Sequence, residues 1–323
     1  MMTGQSLDGI VKELRGYRGI ARKKSLSLIS DILPEIGGRI IAAKGEDAAV
    51  ISLGEDPIVF AADGIMEELI ERDPEWAGYC SILVNVNDVL AMRARPVATV
   101  NVISAVDDQT LREILTGMKR ASDLFDTPVV GGHLHPNATH NDISVAIIGK
   151  VSGRPLLSST ARPGERVVVI SDLNGQFTPG IPYSWDCTSS KEKDYLAKEL
   201  DLFFAAISDF NSGKDISNPG LLGTLGMLLE ASGTGAEVNM ERVPKPEGTD
   251  LLQWLKAYQG LGIIGTVESE KLEKIRGLLE GSDLVAGDLG CVVGDPSLSV
   301  TYEGERRLLF DFTREKITGL FPR

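Results

Sequence analysis

The groups with the greatest chemical potential in this chain are carboxylates set beside short apolar runs. Glu46 and Asp47 lie in KGEDAAVIS, where Gly45 permits a tight turn and a strand follows at once. Asp63 comes directly after the run PIVFAA, and Glu67 stands four residues on in DGIMEE. A helix over 76–92 carries Ser81, Asn85 and Asp88 at steps of four and three, on one face. Acids that converge from separate elements make an oxygen site for Mg²⁺, a small hard ion that keeps several waters and binds substrate phosphates. Taken singly, Asp63 would cap a turn, Glu67 would face solvent and Asp88 would interrupt a surface helix.

The stretch GGHLHPNATHND, residues 131–142, holds all three histidines: His133, His135 and His140. Gly131 and Gly132 suit a place where the backbone approaches a ligand or a partner chain closely, with His133 hydrogen-bonding a phosphate oxygen or the reacting group. A Zn²⁺ site built on the three imidazoles, and hence a zinc hydrolase, is a competing expectation. Its spacing is not that of a standard finger, and no cysteine lies nearby. An exposed loop with solvated imidazoles is the third.

Three further segments offer binding chemistry. Arg15, Arg18, Arg22 and Lys23 cluster between Lys12 and Lys24, able to cover a triphosphate or simply to solvate a helix face. In DISNPGLLG, Asp215, Ser217 and Asn218 precede a helix that Ser217 or Asn218 could cap, with Pro219 near its first position; such an N-terminus attracts a substrate phosphate. In GIPYSWDCTSSK, Tyr183, Trp185, Asp186 and Lys191 could stack on and hydrogen-bond a ring. Cys187 has no histidine in the C-terminal half to activate it and is treated as incidental.

The elements that must position these groups alternate in type. Short β-branched runs such as PIVFAA, VATVNVIS and ISVAIIGKV are interleaved with helical spacing at Leu111, Ile114, Leu115 and Met118. In the second half Leu196, Leu200, Phe203, Phe204 and Ile207 form one helical stripe, and Leu221, Leu222, Leu225, Leu228 and Leu229 another; both are read as core faces. SGRPLLSSTARPGE concentrates Gly, Pro and Ser before a new strand, which puts a junction near Ser159. Two αβ domains follow, 1–158 and 159–323, in an α/β (α+β) class.

Composition narrows the partners. The 323 residues are 42% hydrophobic, and no apolar stretch approaches the roughly 18 residues of a membrane span. A net charge of −13 repels a nucleic-acid backbone. Three scattered cysteines and an N-terminus without an apolar signal core lead to the expectation of a reducing, cytoplasmic compartment.

KGEDAAVI, DGIMEE, NVNDVLAMRARP and GGH, in that order, resemble the superfamily of aminoimidazole ribonucleotide (AIR) synthetase, thiamine-monophosphate kinase, selenophosphate synthetase and the hydrogenase-maturation carbamoyl dehydratase. Asn85, Asp88, Ala91, Met92 and Pro96 carry its most specific motif. The overall pattern is most similar to AIR synthase-related proteins, including those named methanogenesis marker proteins. The resemblance implies a PurM-like fold with two αβ domains per chain, the N-terminal one pairing with a second copy in a homodimer β-barrel. It implies ATP and Mg²⁺ in an acid-lined cleft, with Asp47, Asp63 and Asp88 as metal ligands. Asn85 and His133 would orient phosphate or substrate, and Lys24 with its basic neighbours would cover the triphosphate. His133 stands where kinase relatives carry an acid and so lacks one potential Mg²⁺ carboxylate, while Asn218 in place of an acid and Pro219 inserted before Gly220 speak against thiamine phosphate as the acceptor. The expected activity is γ-phosphoryl transfer to an oxygen of a small metabolite; the alternative from a different class is a non-catalytic ATP-binding subunit or assembly factor.

Overall fold

In the computed structural model, which describes residues 6–33, 37–54 and 56–320, the apolar runs of the first half pair into a six-stranded sheet. Its strands are β1 (Ile40–Ala42), β2 (Ala49–Ile51), β3 (Ile58–Gly64), β4 (Ala94–Ala105), β5 (Val129–Pro136) and β6 (Asp142–Val151). The spatial order is β1-β2-β3-β6-β4-β5, antiparallel except for the β4–β5 pair. The helices of this half are α1 (Leu7–Arg15), α2 (Arg18–Ala21), α3 (Ser27–Ile32), α4 (Glu67–Arg72), α5 (Pro74–Ala91) and α6 (Asp108–Leu124).

The helix expected over 76–92 is α5, displaced by one or two residues. Pro74 occupies its first turn and the Asp73 carboxylate accepts the Trp76 N–H at 2.9 Å, which fixes the start. Apolar nearly all round, α5 is sandwiched between the sheet and α6, as such a helix must be. The other face of the sheet has no covering layer among the described residues and exposes Phe60, Val100, Val102 and Ile148.

The second half forms a seven-stranded sheet of β7 (Arg166–Asp172), β10 (Ser212–Asp215), β11 (Gly235–Asn239), β12 (Gly262–Val267), β13 (Leu284–Val293), β14 (Ser297–Tyr302) and β15 (Glu305–Asp311). Its order is β10-β12-β7-β13-β11-β14-β15, with β11–β14 the parallel pair. A two-stranded ribbon, β8 (Gln176–Phe177) with β9 (Trp185–Asp186), stands beside it. The helices are α7 (Lys193–Ile207), α8 (Gly220–Ser232), α9 (Leu251–Leu255) and α10 (Leu272–Leu279). The leucine stripe of α8 is wholly buried; in α7, Leu196, Phe203 and Ile207 are buried while Leu200 and Phe204 are half-buried. The fold is mixed α/β with two sheet-bearing halves.

Two contacts tie the halves together, one beside the acids and one at the opposite edge of the second sheet. Both carboxylate oxygens of Glu46 are taken up by the junction: Oε2 accepts from the Ser158 N–H at 2.6 Å and the Ser158 hydroxyl at 2.8 Å, and Oε1 from the Ser159 hydroxyl at 2.8 Å. The N-terminal α1 crosses over to β15, where Arg307 pairs with Asp8 and Arg15 donates to the Leu309 carbonyl at 2.8 Å. No described helix is long and apolar enough to cross a membrane.

Candidate active site

Three carboxylates from three elements meet where the halves face each other. Asp47 follows the Gly45 turn ahead of β2, Asp88 projects from the last turn of α5, and Asp215 ends β10; their oxygens lie within 4.8 Å of one another. Asp88 and Asp215 are buried, and although Asp47 as a residue is half-buried, its carboxylate side chain is buried too. Lys214 faces them, its ammonium paired with Asp47 Oδ1 and donating to the Gly45 carbonyl at 3.3 Å. Asp47 Oδ2 accepts the Asp215 N–H at 3.1 Å, so one aspartate is held by two neighbouring residues of β10.

Burial sets the electrostatics here, and crowding of like charge adds to it. Burial, then Asp215, Asp63 and Asp47, push the Asp88 carboxyl well above the ordinary carboxylate range. Burial and Asp47 do the same to Asp215. Asp63 stays open to solvent in the cleft, and the surrounding protein mass, more than the Asp47 charge, raises it while Lys23 pulls it down. An all-oxygen set of acids that repel one another when ionised fits a hard divalent cation such as Mg²⁺, whose charge relieves that repulsion.

Beside the trio opens a cleft of about 700 Å³ bordered by Arg22, Lys23, Asp63, Asn87, Asn218 and Tyr258. Burial, with Lys214 adding to it, lowers the Lys23 ammonium. The α2 segment leans over this cleft at very short range. A Cβ on Gly19 would come within 2.3 Å of the Asn218 carbonyl oxygen, so only glycine lets the basic segment seat there.

The site departs from the sequence expectation at several residues. Asp215, expected on the substrate side, sits in the acidic trio, whereas Asp63 flanks it. Asn85 does not line the cleft: fully buried, its Nδ2 donates to the Ser81 carbonyl of its own helix at 2.8 Å. Asn87 does line it, and its Oδ1 is buried without a partner among the described residues. Lys24 is exposed and does not line the cleft, which Arg22 and Lys23 border instead.

His133 is placed elsewhere within this chain. β5 lies three strand spacings from β3, about 14 Å away. The register aligns Asp63, Val145, Asn101 and Gly132 across the sheet, so His133, one residue on, points to the opposite face. Gly132 is explained by its neighbouring strand rather than by a ligand: a Cβ there would meet the Asn101 carbonyl oxygen at 2.4 Å. Gly131 is in open surroundings. The rings of His133 and His135 sit edge to face at 4.5 Å, but no metal-binding group of three among the described residues includes a histidine. The zinc reading therefore loses its geometry.

Capping of α8 also differs. The helix begins at Gly220, after Pro219 and with no side-chain cap, and Ser217 contributes its carbonyl, accepting the Gly220 N–H at 2.8 Å. Ser217 and Asn218 line the cleft. Trp185 and Asp186 diverge: the Trp185 indole is buried against the second sheet, while Asp186 accepts the N–H groups of Thr188 and Ser189 at 3.2 and 3.0 Å. Cys187 is buried, its Sγ accepting the Leu261 N–H at 3.2 Å, and burial pushes the thiol up. Lys214 was missed, because a single lysine in a short strand carries no local signal of its partner.

Comparison with known proteins agrees with this architecture. The AIR synthase related protein N-terminal domain matches residues 45–151, and the C-terminal domain of the same family matches residues 180–303. An uncharacterized protein of Methanocaldococcus jannaschii is 38% identical over 322 residues, covering 97% of this chain and 99% of that protein. The thiamine-monophosphate kinase of Methanopyrus kandleri is 26% identical over 245 residues, 73% of this chain and 77% of the kinase. Among solved structures, T. maritima PurL complexed with ATP superposes with a TM-score of 0.69 at 19% identity, covering 81% of this chain and 45% of PurL. The chain thus spans about half the length of that structural relative. Matched in both halves, and nearly end to end by the archaeal protein, the chain belongs to the AIR synthase related family.

Proposed function

We propose that this protein is an ATP- and Mg²⁺-dependent enzyme that moves the γ-phosphoryl group to an oxygen of a small metabolite, either as product or to activate that oxygen for displacement. The observation that carries the proposal is the trio Asp47, Asp88 and Asp215, whose oxygens approach within 4.8 Å beside a cleft bordered by Arg22 and Lys23. A kinase and an ATP-bound protein among the relatives are consistent with it.

In this scheme the three aspartates hold Mg²⁺, which when bound neutralises phosphate charge. Arg22 and Lys23 lie along the triphosphate and stabilise negative charge on the transferring group. Lys214 keeps Asp47 aligned and balances the excess of carboxylates. Asn87 and Asn218 offer amide groups to the acceptor or the nucleotide, the first through the unpartnered Oδ1 described above. Catalysis then consists of positioning and charge compensation, with no covalent enzyme intermediate.

Turnover of ATP with metabolite pools, beside an Asp88→Asn variant, tests the proposal. The variant should lose about 10²–10³-fold in kcat, the scale of removing one preorganised electrostatic group. ATP binding without turnover in any pool would replace the enzyme with a nucleotide-binding subunit. A second copy of the chain is the covering we propose for the bare face of the six-stranded sheet, in the symmetric pairing most common for soluble oligomers.

A further inference from the structure

Side-chain amides on one wall of the cleft carry unmatched hydrogen-bonding ends. Asn87 and Gln259 are 4% and 5% exposed, and both border the cleft beside the acidic trio. Asn87 Nδ2 donates to the backbone carbonyls of Gln259 at 3.2 Å and Gly260 at 3.3 Å. Turned over, this amide would set its oxygen against both carbonyl oxygens, so its orientation is fixed, and Oδ1 is the end without a partner among the described residues. Gln259 is anchored through its other end. Its Oε1 accepts from the Ser184 hydroxyl at 2.6 Å, and that hydroxyl accepts the Trp76 indole N–H at 2.9 Å. Gln259 Nε2 makes no hydrogen bond among the described residues. An unpaired acceptor and an unpaired donor on touching residues cost free energy unless a ligand meets both.

The backbone beneath the pair is held outside its preferred range. Gln259 has φ +75° and Tyr183 φ +67°, in the left-handed region that residues other than glycine rarely enter. The segments carrying them are tied together: the Tyr258 N–H donates to the Tyr183 carbonyl at 2.9 Å, and the Trp185 N–H to the Tyr258 carbonyl at 3.1 Å. Such conformations persist where the surroundings over-determine them, and they gather at ligand-holding positions. Glycine at 259 would relieve the strain but would remove the amide.

We propose that Asn87 and Gln259 are specificity-determining residues that select a neutral ligand group bearing both a hydrogen-bond donor and an acceptor, a carboxamide or a hydroxyl. The group donates to Asn87 Oδ1 and accepts from Gln259 Nε2. A carboxylate or a phosphate dianion has no hydrogen to give Asn87, and its charge meets Asp63, which borders the same cleft. Asn87 directly precedes Asp88, so the selected group lies beside the acidic trio. That this group carries the phosphoryl-accepting oxygen rests on the function proposed above; the selectivity itself does not.

Probes of one size and shape separate these chemistries: acetamide, 2-propanol, acetone and acetate. Each is titrated into the full chain with MgCl₂ while the side-chain amide signals of Asn87 and Gln259 are followed by NMR. Acetamide or 2-propanol should shift both signals saturably, and the tighter of the two names the group. Acetone, which accepts but cannot donate, and acetate should bind at least about fivefold more weakly than that probe, the cost of leaving Asn87 Oδ1 unpaired. Gln259→Met keeps the shape and removes the donor. It should weaken the preferred probe at least about fivefold while the Asn87 signals of the free protein stay in place, which a merely structural role would not allow. Gln259→Glu turns the donor into an acceptor and should have the same effect, and thermal unfolding identifies which variants are folded. No saturable shift with acetamide or 2-propanol, acetone or acetate binding as tightly as the preferred probe, or undiminished binding in the folded variants overturns the assignment. Selective binding in a wild type that binds no fluorescent ATP analogue would remove the phosphoryl-transfer function and leave the selectivity standing.

Discussion

Lys214 and Asp47 form a buried ion pair, 167 positions apart in the chain, that joins the edge strand β10 of the C-terminal sheet to the turn before β2. Its side chains are 9% and 3% exposed. Burial disfavours the Lys214 ammonium, but Asp47 and Asp215 more than compensate and hold it firmly charged. The pair is thus both a clamp between the halves and the charge balance of the acidic trio.

Removing one partner of such a pair strands the other. Lys214→Met should lower the stability of the metal-free protein by about 3–5 kcal/mol. Added Mg²⁺ should recover more of the melting temperature in the variant than in the wild type, since it replaces the missing positive charge. Thermal unfolding with and without MgCl₂ measures this; equal Mg²⁺ shifts in both proteins would dissociate Lys214 from the trio.

Adjacent lysines separate the two versions of the basic segment. Lys23 borders the cleft and Lys24 is exposed. Lys23→Ala should raise the KM for ATP by about 10- to 100-fold, the cost of a lost charge-assisted contact. Lys24→Ala should stay within about twofold, as a surface charge does. Steady-state kinetics at fixed Mg²⁺ reads both, and the reverse ranking would restore Lys24 to the role expected from sequence.

What was legible in the sequence and what was not divides along physical lines. Asp47, Asp63 and Asp88 stand beside strongly patterned elements, and α5 was legible as a helix over 76–92, although its Asp73–Pro74 start was not used. The face of α5 was not legible. A helix apolar all round gives no moment to orient it, so Ser81, Asn85 and Asp88 were grouped, whereas Val84, Asn87 and Asp88 turn toward the site. The histidine stretch was expected as a loop, because VVGGHLHP has no apolar alternation to mark it as β5, so the strand and the face that His133 takes on it could not be assigned. Asp215 was flagged for its motif, yet its place among the clustered acids depends on β10 pairing with β12 and reaching Asp47 across the halves, a non-local relationship that no window reveals.

A cluster remote from the acids carries a pH signature. Lys191 sits among Asp172, Glu199 and Asp283, at 2.6 Å from Asp172 Oδ2 and 2.9 Å from Asp283 Oδ2. Burial, against the pull of Lys191, raises Asp172 to about 6. Folded Asp172 therefore keeps a proton that the unfolded chain releases near the ordinary 3.8, and its contribution to stability, full below that value, is lost as pH rises through about 6. The gap corresponds to roughly 3 kcal/mol. Asp172→Asn should flatten the stability profile between about pH 4 and 6, read by urea unfolding at successive pH values. An unchanged slope would assign the proton to another group.

The bare sheet face supplies the last prediction. Phe60 and Ile148 are cross-strand partners, 45% and 38% exposed, and Val100 and Val102 continue the patch on β4. Apolar side chains contiguous across a sheet mark an interaction surface, and a self-complementary one closes by two-fold pairing. His133 lies on this same face, next to Val102 in register, so a second copy would bring its own surface over the imidazole. Val100→Asp places a charge in the middle of the patch, between the Phe60–Ile148 pair and Val102, where desolvating an unpaired carboxylate opposes association. The wild type should sediment as a dimer and the variant as a folded monomer. A wild type that remains monomeric at tens of micromolar would remove the dimer, and with it any route by which His133 meets another copy.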